Sequence, residues 1–139
     1  MKLRDGMTPD YFNSFGTQRL PGLFGLQTLR VAQGELVMRM QIQPQFLAPN
    51  GFLHAATVIA LADTCSGYAC VAHLAEGAQN FTTIELKTNF LGTAREGTLE
   101  AVARAAHLGR TTHVWDATVT DVASNKTIAL FRCTQIILR

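Results

Sequence analysis

A chain of 139 residues has the length of one ordinary domain, able to bury about two-thirds of the surface that its unfolded form exposes. Apolar residues make up 47% and charged residues 16%, which excludes a disordered chain and leaves little polar surface to cover a lone monomer, so a homo-oligomer is expected. A formal net charge of +2 without a dense Lys/Arg cluster offers no footprint for nucleic acid; no run reaches the ~20 apolar residues of a membrane span and none follows the charges at the N-terminus, so the expected location is cytoplasmic.

Thr8-Pro9-Asp10 ahead of Tyr11, Phe12 and Phe15 has the make-up of a short capped helix, with proline in its first turn and Gly16 near its end. Its apolar face must dock elsewhere on the chain. After the Pro21-Gly22 turn, residues 23–32 and 35–43 read as two strands joined at Gln33-Gly34, a tight hairpin signal. In the second strand Leu36, Met38, Met40 and Ile42 point one way, Arg39 and Gln41 the other. A loop containing Pro49-Asn50-Gly51 precedes the one long helical candidate, residues 55–74.

On that helix Val58, Leu61, Ala62, Cys65 and Ala69 recur at i, i+3, i+4 and i+7, an apolar stripe suited to lying against a sheet. Asp63 stands off the stripe. Its own face carries the small residues Ala56, Ala60, Ser66, Gly67 and Cys70, which a ligand or a partner helix could approach closely. Four further strands follow at 81–91, 98–107, 111–121 and 127–138, separated by Gly92 and Gly97, by Gly109-Arg110 and by Ser124-Asn125. The order argues α+β, a largely antiparallel sheet around one central helix, in a single domain over residues 1–139. Cys65, Cys70 and Cys133 are odd in number and sit in apolar segments, so reduced buried thiols are expected and neither a disulfide framework nor a metal site. His73, His107 and His113 lack ligand spacing and read as structural.

The stretch Asn50-Gly51-Phe52-Leu53-His54-Ala55-Ala56, running on to Leu61-Ala62-Asp63, resembles the hotdog-fold acyl-CoA thioesterases of the phenylacetic-acid-degradation type. That family writes Gly-x-x-His-Gly-Gly before a helix bearing an acidic residue, and here the acid stands nine positions after the histidine. The likeness continues through Phe81 to Leu91, Arg95-Glu96-Gly97 and Ala106-His107-Leu108-Gly109-Arg110. It implies a hotdog fold, a dimer joined sheet edge to sheet edge, often a tetramer of such dimers, and an active site shared between two subunits. Two departures stand out: Ala55 and Ala56 replace the paired glycines, and Ala48 stands where the family often has Asn or Gln. Alanine retains the backbone N–H that the family uses after the histidine.

Thioester hydrolysis needs a nucleophile at the carbonyl carbon and donors where the carbonyl oxygen becomes an oxyanion. Asp63 is the candidate for the first, as general base on water or by direct attack; the Ala55 N–H, at a helix start, is the candidate for the second. About 12 Å of helix separates the two within one chain, too far for both to touch one carbonyl, so the acid must come from the other subunit. The resemblance gives His54 a part in the oxyanion pocket and Thr83 the orientation of the water. Asn50 is either a turn residue or an amide replacing the one missing at Ala48. Gly51, Phe52, Ser66, Phe90, Arg95, Gly109 and Arg110 are the substrate-contacting candidates, with apolar residues for an aryl or medium-chain acyl group and the arginines for CoA phosphates. No cofactor enters this chemistry. The other readings are a hotdog enoyl-CoA hydratase or dehydratase, and a non-catalytic acyl-CoA binder.

Overall fold

A computed structural model describes residues 1–139. In chain order its elements are α1 (Pro9–Phe15), α2 (Leu20–Leu23), β1 (Gln27–Ala32), β2 (Glu35–Gln41), a 3₁₀ turn (Pro44–Phe46), α3 (Ala55–Ala72), β3 (Asn80–Phe90), β4 (Thr98–Leu108), β5 (Thr112–Asp121) and β6 (Thr127–Leu138). The six strands form one antiparallel sheet in the order β1-β2-β4-β5-β6-β3, and α3 packs against all of them. This is the expected α+β hotdog arrangement.

The expected stripe on α3, from Val58 to Ala69, is at most 2% exposed. Opposite it lie Leu36, Met38 and Met40 of β2, with Leu99, Ala101 and Ala103 of β4, all buried. Small alanines on β4 let the helix seat closely on the sheet. By length and composition alone α3 could cross a membrane, but it is mostly buried inside the chain. His73 finishes it: Nδ1–H donates to the Ala69 carbonyl at 2.8 Å and Nε2 accepts from the Gly34 N–H at 2.9 Å. One neutral imidazole therefore ties the helix end to the β1–β2 turn, where Gly34 holds a φ of +69°.

The chain departs from expectation before β1. Residues 23–26 are not strand; Pro21 sits in the first turn of the short α2, a position proline favours, and β1 begins at Gln27. α1 forms as expected, with Thr8 accepting from the Tyr11 N–H, and Phe12 stacks on Tyr68 of α3 at 4.9 Å. The second strand ends at Gln41, two residues early.

The two sheet edges differ. At β1 the Asn13 side chain of α1 behaves as a one-residue strand, its Nδ2–H donating to the Thr28 carbonyl at 3.0 Å and its Oδ1 accepting from the Thr28 N–H at 2.7 Å. β3 has no such cover along its 11 residues, and Leu86 and Phe90 are 40% and 46% exposed on it. An open, partly apolar edge is a template for pairing with another chain.

Thr28 is buried, so removing the clasp leaves its backbone groups without partners. Asn13→Ala is expected to cost about 1–3 kcal/mol, the usual penalty for orphaned buried polar groups, measured by urea unfolding. A loss of only a few tenths would mean that water replaces the clasp.

Candidate functional site

A helix start leaves four backbone N–H groups without intrahelical acceptors, and three of those of α3 are spent locally. The His54 N–H donates to the Phe46 carbonyl at 3.2 Å, the Ala56 N–H to His54 Nδ1 at 2.9 Å and the Thr57 N–H to the His54 carbonyl at 3.0 Å. Only the Ala55 N–H has no acceptor in the chain. Because Nδ1 accepts from an N–H, the neutral ring carries its proton on Nε2, so His54 presents a second donor beside the first. Both residues are exposed. The helix dipole adds partial positive charge at the same point, a setting for an anionic oxygen.

Asp63, two turns along α3, forms no ion pair, and its Oδ1 is buried without a hydrogen-bond partner. Burial raises its pKa above the ordinary carboxylate value, since desolvation disfavours the charged form. An unpaired, half-buried carboxylate with a raised pKa is a stronger proton acceptor than an ordinary one.

The small-residue face around it is only partly open. Ala56 is exposed and Ala60 half-buried, but Ser66, Gly67 and Cys70 are buried. What approaches Gly67 is the chain's own Phe81 ring, 3.0 Å from where a Cβ would stand. Ser66 is thus interior, facing Cys133, rather than on a surface that meets substrate. Burial pushes the thiols of Cys65, Cys70 and Cys133 up to about 12, so all three remain protonated packing groups. Cys70 Sγ lies 3.3 Å from His113 Nδ1, where burial lowers the imidazole to about 4 and keeps it neutral.

Strand register locates the β3 candidates. Thr83 is opposite Gln135 and is the next inward side chain along β3 after Phe81, whose ring lies against Gly67 of α3. A bulge between Thr83 and Glu85 then shifts the alternation, so that Leu86, Thr88 and Phe90 share the inner side with Phe81 and Thr83. Phe90 is thereby turned inward at the open edge. Thr88, whose hydroxyl is buried and unpartnered, was not legible as an inward residue: without the bulge, inward phase would fall on Glu85, Lys87 and Asn89.

In the loop before α3, Asn50 Oδ1 accepts from the Phe52 N–H at 3.2 Å, and Gly51 holds a φ of +83°. Asn50 acts as a turn residue through its amide oxygen, while its Nδ2 hydrogens have no acceptor in the chain. Phe52 and Arg95 are brought together, the guanidinium 4.7 Å above the ring, on a half-exposed platform at the start of α3. Gly109 and Arg110 are not. Their turn joins β4 to β5 at the opposite end of the 11-residue β4, roughly 35 Å from the Arg95 loop. One chain therefore does not gather both arginines around one ligand.

A model of the family described as the thioesterase superfamily matches residues 50–128. The 1,4-dihydroxy-2-naphthoyl-CoA hydrolase of Listeria monocytogenes is 26% identical over 79% of this chain and 88% of its own length. The acyl-coenzyme A thioesterase PaaI of Escherichia coli is 31% identical over 78% of this chain and 74% of its own. Among solved structures, a glutamine-to-alanine mutant of thioesterase PA1618 from Pseudomonas aeruginosa superposes with a TM-score of 0.92 at 27% identity, covering 99% of each chain.

The raised pKa of Asp63 has a sign that stability measurements can read. The folded chain binds this proton more tightly than the unfolded chain, so ionised Asp63 subtracts from stability above the raised pKa, and the penalty is withdrawn as pH falls through it. Asp63→Asn is expected to melt higher than wild type at neutral pH, with the gap closing in acid, as followed by circular dichroism. A variant melting lower at neutral pH would mean that the carboxylate is paired in the folded protein.

Proposed function

The chain belongs to the thioesterase superfamily, and from that premise we propose that it hydrolyses acyl-CoA thioesters to free acid and CoA. The observation that carries this reading is the single unspent N–H of Ala55 at the start of a buried helix that also bears an unpaired carboxylate, Asp63. One group suits a developing oxyanion and the other a proton in transit. The thioester carbonyl oxygen accepts from the Ala55 N–H and His54 Nε2–H. Asp63 acts on the carbonyl carbon, as general base on a water or as nucleophile through a mixed anhydride.

The two groups stand about 12 Å apart along one helix, so the working site takes Ala55 and His54 from one copy and Asp63 from a second. The open β3 edge supports a dimer through edge-to-edge pairing, since the other edge is closed by Asn13. A dimer of such dimers and a cytoplasmic location, where CoA esters are made and used, complete the reading. Phe52, Leu53 and Phe90 give an apolar lining that suits aryl-acyl and medium-chain acyl groups alike. Aryl esters of the kind met in phenylacetic-acid degradation come first, because two relatives are named for CoA-ester hydrolysis and one of those esters is aromatic.

One observation favours a second reading, a non-catalytic acyl-CoA binder. Ala48 supplies no side-chain amide to the oxyanion pocket, and the amide oxygen of Asn50 is engaged in its own turn.

Free-thiol release from a panel of aryl- and fatty-acyl-CoA esters separates the two. Turnover is expected, falling about 10²- to 10⁴-fold in Asp63→Asn. Ala55→Pro removes the one free N–H at a helix position that tolerates proline, behind a residue already in the extended conformation that precedes proline (His54, φ −67°, ψ 135°). It is expected to lose about 10²- to 10³-fold with the helix intact. Saturable ester binding without turnover by wild type would establish the binder, and near-full turnover in Asp63→Asn would remove Asp63 from the chemistry.

A further inference from the structure

The outward side of the sheet carries a row of charges that breaks off at the open edge. Glu35, Arg104, Asp116 and Arg132 stand opposite one another in turn on β2, β4, β5 and β6. Their signs alternate; Glu35 pairs with Arg104 at 3.0 Å, and Asp116 pairs with Arg132. On β3 the row reaches Lys87, directly opposite Arg132, so two positive charges meet where the alternation calls for an acid. Neither Lys87 nor its outward neighbour Glu85 has an ion-pair partner in the chain, and both are exposed.

The backbone of the same strand limits how a second copy can add to it. The Leu91 N–H donates to the Ile128 carbonyl at 2.8 Å, and the register is unbroken from Glu85 to Phe90. Glu85, Lys87 and Asn89 therefore turn their backbone groups toward β6, while Leu86, Thr88 and Phe90 turn theirs out of the edge. Two β3 strands meeting about a two-fold axis must bring outward-turned groups together, so the axis passes through a residue and not between two. Through Glu85 or Lys87 it sets that charge against its own copy. Through Thr88 it sets Lys87 against Asn89 and leaves Glu85 without a cation. Through Leu86 it sets Glu85 against Lys87 twice, in the non-hydrogen-bonded pairs where side chains lie closest.

Resting on the two-copy reading above, we propose that a second copy of this chain docks on β3 in the register centred on Leu86, held there by two Glu85–Lys87 ion pairs across the interface. Each Lys87 gains the acid that the row lacks. The Leu86 side chain, 40% exposed in the single chain, meets its own copy at the axis on the inner side. The register also bears on the site. The Phe81 ring lies against Gly67, and the Leu53 N–H donates to Thr93 Oγ1 at 3.3 Å, so β3 runs back along α3 from beyond Asp63 to its start. A two-fold axis in the middle of β3 exchanges those ends and sets the Asp63 half of one helix beside the Ala55 end of the other. Moving the axis by one residue slides the copies by two, roughly 6.6 Å, so the register fixes where Ala55 stands along the second helix.

Cysteine pairing reads the register. Cys65, Cys70 and Cys133 are buried and stay out of the reaction. Co-expressed Glu85→Cys and Lys87→Cys chains, oxidised with glutathione disulfide, are expected to give a disulfide-linked dimer. Neither variant links to itself, since each position lies about 7–8 Å from its own copy, past disulfide reach. Self-linking of either variant would put the axis on that residue and overturn the proposal, as would a dimer that links in no combination. By sedimentation equilibrium at low salt, Glu85→Lys and Lys87→Glu are each expected to weaken the dimer about tenfold. An equal mixture of the two restores it, because every facing pair is then of opposite sign; a mixture as weak as its components would also overturn the register. These readouts need no turnover, so a dimer in another register leaves the thioesterase reading standing, whereas a wild type that stays monomeric ends the two-copy site together with the register.

Discussion

An 18-residue helix that is apolar almost all the way round has to be covered almost all the way round, and that requirement organises the molecule. The sheet meets it by curling, with β2, β4 and β5 beneath α3, β1 and α1 on one flank, and β6 and β3 on the other. A wrapped helix can still meet the surface at its ends and wherever an edge strand falls short. The His54–Ala56 end and the Asp63 flank are two such places, and each carries a group with unspent hydrogen-bonding capacity, the Ala55 N–H and Asp63 Oδ1. At the other end both ring nitrogens of His73 are engaged, by the Ala69 carbonyl and the Gly34 N–H.

Carboxyl groups of this chain shift in opposite directions according to whether they are paired. Arg132 and Asp116 answer each other across β5 and β6, holding the Asp116 carboxyl below its ordinary value, whereas Asp63 has no such partner and moves the other way. An acid kept unpaired against the fold's interest fits a group retained for reactivity, a common trade in enzymes. Alanine in place of the paired glycines leaves the proposed site its donor. Both side chains are exposed, and the group proposed to act at position 55 belongs to the backbone.

The periodicity of residues 35–42 and 55–69 was enough to read the fold, because burial there follows strict alternation and the helical rule. Breaks in period were not readable. Pro21-Gly22 looked like a turn into a strand, yet proline in a helical first turn is equally at home, and the chain took that course. The bulge at Ile84 hid which β3 side chains beyond it face inward, namely Leu86, Thr88 and Phe90. The helix face around Asp63 was correctly seen as small, but one-dimensional spacing cannot say who occupies the space beside it; at Gly67 the occupant is Phe81. Asn50 shows the same limit, since an amide before glycine satisfies a turn as readily as a substrate.

The clasp of Asn13 on Thr28 also sets how many neighbours a chain can have through its sheet. A sheet with one free edge has a valence of one: once two such edges meet about a two-fold axis the pairing is complete. With β1 uncovered the valence becomes two, and the same backbone groups would add chain after chain in a line without closing. A single side-chain amide, spent on both hydrogen bonds of one strand residue, would in such a dimer help to keep the assembly counted rather than unbounded.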